Sequence, residues 1–143
     1  FVSDGTTRVD FDLSQSFSQT AGISIDYTVE VPESNVGVRL QASLNLQFVG
    51  SITLTISHGG NTTVIEVSGS LDGAIAGTIK HNGDVVVNIS GTSANPVFID
   101  ATGTPLTVQQ LAALENLVDF IEDVLDAFDN LLYPAYGLLG VSF

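Results

Sequence analysis

The sequence predicts an α+β fold, a strongly curved antiparallel β-meander of five to seven strands wrapped around one long C-terminal α-helix. Apolar residues alternate with polar ones from Val9 to about Asp100, and their spacing becomes helical after Thr107. Strict alternation is typical of strands with one buried face, and spacings of three and four are typical of an amphipathic helix. We expect the 143 residues to form a single domain. Its parts are the sheet over about 6–102, the helix over about 107–132 and an apolar tail over 133–143.

The parity of the apolar residues predicts how the strands pair. Gly59-Gly60 suits a two-residue primed turn, which places Leu54 opposite Ile65. Extending this register predicts two strands, 36–57 and 62–80, much longer than the usual range of about three to ten residues. Such strands bend most easily at glycines, where no side chain has to be accommodated.

The C-terminal third of the sequence carries the helical signal. Thr107-Val108-Gln109-Gln110 matches a capping box, and apolar residues then recur at helical spacing until Pro134. The tail alternates again and predicts a last strand or an apolar strap. Acidic residues follow one face of this helix, which predicts either a solvated face or a surface for cations or a basic partner; they are Glu115, Asp119, Glu122, Asp126 and Asp129.

Charge and composition exclude several classes of protein. Sixteen acidic residues against three basic ones give a formal net charge of −13, which argues against a nucleic-acid partner or an anionic membrane surface. The chain has no Cys, so thiol catalysis, zinc–cysteine sites and iron–sulfur clusters are excluded. No apolar stretch is long enough to predict a transmembrane helix.

The start of the sequence bears on the compartment. The chain begins Phe1-Val2-Ser3 and contains no Met. Because translation begins with Met, we expect that a signal peptide or pro-segment was removed, which predicts a secreted or cell-envelope protein. The alternative is that the printed sequence is a shortened one.

Residues suited to catalysis or metal binding are few. His58 and His81 fall at turns near opposite ends of the long strand 62–80, too far apart to share a metal ion. A three-residue turn at 20–22 would place Asp12 opposite Glu30, and this pair is the candidate calcium site. The same register puts Arg39 diagonally between Asp26 and Glu30, which predicts a cross-strand charge ladder instead. We therefore predict no catalytic residue and no cofactor, with calcium as the one metal hypothesis.

Three function classes follow. The first is a non-enzymatic structural or assembly subunit of a filament, appendage or surface layer, completed by neighbouring copies in a homo-oligomer or polymer. The second is a carrier that binds a lipid or other hydrophobic small molecule between the curved sheet and the helix. The third, an enzyme that uses carboxylates alone, has the least support. The predicted assembly surface consists of Ile52, Leu54, Ile56, Ile65, Val67, Leu139, Val141 and Phe143.

Overall fold

A computed structural model describes residues 2–3, 6–7, 9–20 and 22–116 of the chain. The chain divides into two units, Phe1–Pro105 and Leu106–Phe143, which are described separately. The prediction of a single domain stays a prediction.

The described residues of the first unit form ten strands in two sheets. A small two-stranded sheet pairs β1 with β2, and a sheet of eight antiparallel strands follows in the order β10-β9-β8-β7-β6-β5-β4-β3. One 3₁₀ turn, Pro32–Ser34, connects β4 to β5. The strands are β1 (Val2–Ser3), β2 (Thr6–Thr7), β3 (Asp10–Ser18), β4 (Gly22–Val31), β5 (Val36–Leu44), β6 (Gly50–His58), β7 (Asn61–Gly69), β8 (Ile75–His81), β9 (Asp84–Thr92) and β10 (Asn95–Asp100).

The antiparallel meander and the register around Gly59-Gly60 are confirmed. Both glycines have positive φ, 58° and 84°, as a primed two-residue turn requires. Leu54 pairs with Ile65 and Gly50 pairs with Gly69, as the sequence predicts. Each large-sheet strand pairs with its neighbour in sequence, so the sheet is a succession of hairpins.

The prediction of two long strands is wrong, because each of them is a hairpin of two shorter strands. The chain turns at 45–49, where the Asn45 side chain accepts hydrogen bonds from the backbone N–H groups of Gln47 and Val49. It turns again at 70–74, where Asp72 accepts from the Ser70 hydroxyl and the Ala74 N–H. These side chains satisfy backbone donors that a continued strand would offer to its neighbour. The sheet therefore has eight shorter strands instead of fewer, longer ones.

The predicted fold class, a curved sheet of five to seven strands wrapped around one long C-terminal helix, is wrong, and these two hairpins account for the additional strands. The described residues are mostly strand. They form an eight-stranded antiparallel sheet and a short helix over 108–116. The capping box at its start is confirmed: the Gln110 N–H donates to Thr107 Oγ1 over 3.3 Å and the Thr107 N–H donates to Gln110 Oε1 over 2.9 Å. The rest of the predicted helix, 117–132, and the tail, 133–143, lie outside the described residues.

One face of the large sheet is apolar because the alternation keeps one phase through the hairpins from β3 to β8. The pairing of β8 with β9 shifts register between Ile79 and Lys80, so Val85 lies opposite Lys80. A row of side chains crosses its middle, and the buried core lies in and beside this row. Tyr27, Leu54, Ile79 and Ile89 are each less than about a tenth exposed. The row consists of Tyr27, Leu40, Leu54, Ile65 and Ile79.

The opposite face is polar and carries rows of hydroxyl groups. The Ser16 and Ser24 hydroxyls lie 2.7 Å apart, and those of Ser43 and Ser51 lie 2.8 Å apart. The strands place these residues in one row that crosses β3 to β7, namely Ser16, Ser24, Ser43, Ser51 and Ser68. Hydroxyls in such a row satisfy one another while facing solvent.

Gly77 marks a close approach of β8 to β7. A Cβ at this position would lie 2.1 Å from the Glu66 carbonyl oxygen, so Ala requires a backbone shift. We predict that Gly77→Ala lowers the free energy of unfolding by about 2 kcal/mol, as overpacking typically does. Urea denaturation measures this change.

Gly69→Ala is the matched control in the neighbouring strand. A Cβ there would meet the Ala74 oxygen and Ile75 at 3.5 Å, which is ordinary contact. We expect it to leave stability unchanged or raise it, because Gly is the less stable residue inside a strand. Equal destabilisation by both substitutions would contradict the close approach at Gly77.

Candidate functional site

The two ends of the large sheet differ in chemistry. The turns at one end join β4 to β5, β6 to β7 and β8 to β9, and they are polar or glycine-rich. The connections at the other end join β3 to β4, β5 to β6 at 45–49, β7 to β8 at 70–74 and β9 to β10 at 93–94. The hairpin segments around these second turns contain a single charged residue, Asp72; the segments are 15–25, 42–52, 67–77 and 89–98. We call them the uncharged half of the sheet.

Apolar side chains are exposed in this uncharged half. Phe17 is 73% exposed at the end of edge strand β3, Leu71 is 79% exposed in its turn and Phe48 is 56% exposed. Leu46 and Val49 are also exposed beside Phe48. Exposed apolar groups that cluster, as Leu46, Phe48 and Val49 do within one turn, mark interaction sites more often than isolated ones do.

A groove lies on the apolar face within the same half of the sheet, with a volume of about 510 Å³. It forms where the face lacks large side chains: Gly50 opposes Gly69, and Ala42 lies in the next row. No charged residue of the described chain lines it. Its apolar walls include Ile23, Ile25, Leu44, Ile52, Val67 and Ile75.

The turn at 45–49 holds Phe48 in an unusual backbone conformation. Asn45 and Val49 close the turn through a 3.1 Å hydrogen bond, and the Phe48 N–H donates to the Asn45 carbonyl over 3.0 Å. Between the hydrogen-bonded residues Asn45 and Val49 lies a three-residue loop, 46–48. Phe48 has φ of 57°, in the left-handed region, where this kind of loop normally has glycine. For a residue with a Cβ, that conformation costs about 1–2 kcal/mol. The other described non-glycine residues with positive φ are Asn35 and Asn82, a residue type that tolerates it.

The ion pairs lie on the polar face, in the other half of the sheet. Arg39 donates from Nε to Asp26 Oδ1 over 2.9 Å and makes a second bond to the same carboxylate, so the predicted diagonal pair is confirmed. Lys80 binds Glu66 over 2.6 Å. The hydrogen bond from Arg39 lowers the pKa of Asp26, and that from Lys80 lowers the pKa of Glu66.

The candidate calcium pair is placed differently from the prediction. Asp12 pairs with Thr28 and Glu30 pairs with Asp10, because Ser18 at the end of β3 pairs with Gly22 at the start of β4. Among the described residues there is no group of three or more His, Asp or Glu side chains positioned to hold a metal ion. Calcium at Asp12 and Glu30 stays a prediction.

The histidines lie at the same end of the sheet, so their predicted separation is wrong. His58 ends β6 and His81 ends β8, with only β7 between these strands. His81 Nδ1 lies 3.1 Å from the Thr63 hydroxyl. Neighbouring Asn82 and Gly83 form a two-residue turn with φ of 52° and 92°.

The predicted assembly residues share the apolar face as far as the structure describes them. Leu54 is buried in the central row, whereas Ile52 is 53% exposed at the groove. Ile56, Ile65 and Val67 are half-buried on the same face. Leu139, Val141 and Phe143 lie outside the described residues.

Sequence reasoning missed the turn at 45–49 and therefore missed Phe48. It placed Phe48 inside a strand, opposite Leu71. Asn45 was the available signal, because Asn favours turns and accepts hydrogen bonds from the backbone that follows it.

Comparisons with models of protein families, with curated proteins and with solved structures found no match to this chain. Within the described residues, no helix combines the length and the apolar character needed to cross a membrane.

The backbone conformation of Phe48 leads to a prediction about stability. Phe48→Gly and Phe48→Ala both remove the ring, but only Ala keeps a Cβ in the left-handed region. We predict that the Gly variant is more stable than the Ala variant by about 1 kcal/mol and at least as stable as the wild type. Thermal and urea unfolding test this order, and a more stable Ala variant would contradict the strain at this position.

The Lys80–Glu66 pair leads to a prediction about pH. The folded-state pKa of Glu66 lies below its ordinary value of 4.5, so the pair stabilises the fold above that pH and stops doing so as the pH falls through the lowered pKa. The stability difference between the wild type and Glu66→Gln should therefore be constant from pH 7 to about 5 and shrink below about 4.5.

Urea denaturation from pH 7 to 3 measures that difference. The double variant Glu66→Gln, Lys80→Gln is the control, and it should follow the same pH dependence as the single variant. Parallel curves for wild type and Glu66→Gln down to pH 3 would show that the ion pair contributes nothing in solution.

Proposed function

We propose that this protein is a non-enzymatic structural subunit that associates with copies of itself through the uncharged half of its sheet. The observation that carries the proposal is the coincidence of exposed apolar side chains and missing charge in one region. Phe17, Phe48 and Leu71 are all more than half exposed there. The absence of enzymatic activity and the secreted or cell-envelope location stay predictions.

The net charge of the chain explains why the location of this region matters. Two copies that each carry a formal charge of −13 repel one another over most orientations. Within the first unit, a contact through the uncharged half brings the fewest like charges together, because its segments carry only Asp72. The carboxylate of Asp72 already accepts hydrogen bonds from Ser70 and Ala74 in its own turn.

A second candidate function is that of a carrier for a hydrophobic small molecule. The groove of about 510 Å³ favours it, because binding sites for ligands of drug-like size commonly have volumes of about 300–1,000 Å³ and mostly apolar walls. A carrier function would not explain the exposed apolar side chains in the turns, so we rank it second.

Sedimentation velocity over a wide range of protein concentrations tests the proposal. Wild type should associate reversibly, and Leu71→Asp should weaken association by roughly tenfold or more, since it places a charge within the contact. Val108→Asp is the matched control: Val108 is 83% exposed against 79% for Leu71, lies outside the uncharged half and accepts the same charge change. It should leave association unchanged.

Two results would contradict the proposal. A wild type that stays monomeric at every concentration rejects self-association. A monomer that also takes up a fluorescent fatty acid supports the carrier instead. Equal effects of Leu71→Asp and Val108→Asp would show that net charge, and not this surface, controls association.

A further inference from the structure

The turn between β8 and β9 contains the only Asn-Gly pair in the sequence, Asn82-Gly83. The other seven asparagines precede Val, Leu, Thr, Ile or Pro, and each of these residues carries a side chain beside its own backbone nitrogen. Glycine has no side chain to hinder an approach to that nitrogen. The side-chain amide of Asn82 is therefore the one most open to attack by the backbone nitrogen that follows it.

This attack leads to deamidation of the asparagine. The Gly83 nitrogen loses its proton and forms a bond to Asn82 Cγ, while the bond from Cγ to Nδ2 breaks and Nδ2 leaves with that proton as ammonia. Water then opens the succinimide ring at one of its two carbonyls. Opening at one carbonyl gives aspartate, and opening at the other gives isoaspartate, whose main chain runs through Cβ and Cγ. Water is the only reagent that the sequence of steps consumes.

The fold engages both ends of the Asn82 side-chain amide. Asn82 Oδ1 accepts a hydrogen bond from the Thr62 N–H over 2.8 Å, and Asn82 Nδ2 donates to Asn61 Oδ1 over 2.9 Å. The backbone N–H of Asn82 donates to the Thr62 carbonyl over 2.7 Å. All three bonds run to the start of β7, so Asn82 ties its own turn to the neighbouring hairpin.

These contacts oppose the reaction although Asn82 is exposed to water. Asn82 Cγ reacts only when its amide is free to rotate toward the Gly83 nitrogen, and hydrogen bonds at Oδ1 and Nδ2 hold that rotation. The turn itself is fixed by the positive φ of both residues, 52° and 92°. Reaction therefore requires the turn to open locally, which proteins do at a lower free energy than global unfolding.

We propose that Asn82 is a site of spontaneous deamidation that the intact fold protects, so that modification of this residue records past opening of the turn. The record is lasting because the ammonia is lost and the amide is not restored. The inference is independent of the proposed self-association, since the β8–β9 turn lies at the end of the sheet opposite the uncharged half.

Isoaspartate at this position would also damage the turn. It adds a carbon to the main chain of a two-residue turn, and the length of such a turn sets the register of the strands that it joins. Both products replace an amide with an ionised carboxylate, which accepts hydrogen bonds but no longer donates one to Asn61. The modified turn therefore closes less readily than the original one.

Incubation of folded and urea-unfolded wild type at mildly alkaline pH, followed by peptide mass spectrometry, tests the proposal. In urea, the peptide that contains Asn82 should gain the mass of an amide-to-carboxylate change faster than any other asparagine peptide, and an isoaspartate methyltransferase should label it. The folded protein should react roughly tenfold more slowly or less, because several hydrogen bonds must open first.

Asn61→Ala tests the source of the protection, because it removes the acceptor for Asn82 Nδ2. We expect the rate in the folded protein to rise roughly fivefold, the factor that the usual net contribution of one hydrogen bond implies. Asn95→Ala is the matched control, since it removes an exposed amide at the other end of the sheet. It should leave the rate at Asn82 unchanged, and thermal unfolding shows that both variants are folded.

Three results would overturn the inference. Equal rates in folded and unfolded wild type would show that the fold gives no protection. A rate at Asn82 in urea no higher than at the other asparagines would remove the site. Equal rates for Asn61→Ala and Asn95→Ala would show that the hydrogen bond to Asn61 is not part of the protection. None of these results bears on whether the protein associates with itself.

Discussion

The register of the hydrogen-bonded strand pairs is the constraint on which the rest of this structure depends. Side chains alternate between faces, so a slip of one residue in any pair would exchange the apolar and polar faces from that strand onward. The turns prevent such slips: Gly59-Gly60 and Asn82-Gly83 through positive φ, and Asn45 and Asp72 through hydrogen bonds to the backbone. The apolar face, the serine row and the groove all require these registers at the same time.

The same alternation explains what the sequence could and could not predict. The hairpin at Gly59-Gly60 was predictable because two consecutive glycines favour the positive φ values of a two-residue primed turn. The turns at 45–49 and 70–74 each contain five residues, an odd number, so the apolar parity is identical before and after them. Leu44 and Gly50 both have even residue numbers, as two residues on one face of a continuous strand would have. Periodicity alone could not detect these turns, and side-chain hydrogen bonding by Asn45 and Asp72 was the remaining signal.

Missing those turns also hid the candidate site. In a single strand over 36–57, Phe48 would be an ordinary apolar residue in the alternation, and the charges would fall along the whole length of the sheet. The hairpins fold each predicted strand back on itself, which gathers the uncharged ends of the hairpins on one side. The gathering of these nearly uncharged segments on one side is therefore a product of topology. It could not be read from composition, since a net charge of −13 says nothing about where the charges lie.

The nearest-neighbour order of the strands has a consequence for how the chain folds. Every pair in the large sheet joins strands that follow one another in sequence, so each pairing closes a loop of only a few residues. The entropy lost on closing a loop grows with its length, and β proteins fold slowly chiefly because their pairings span long stretches of chain. This sheet can add one hairpin at a time along the chain, in the order in which a ribosome delivers them. A Greek-key sandwich of equal size lacks that route.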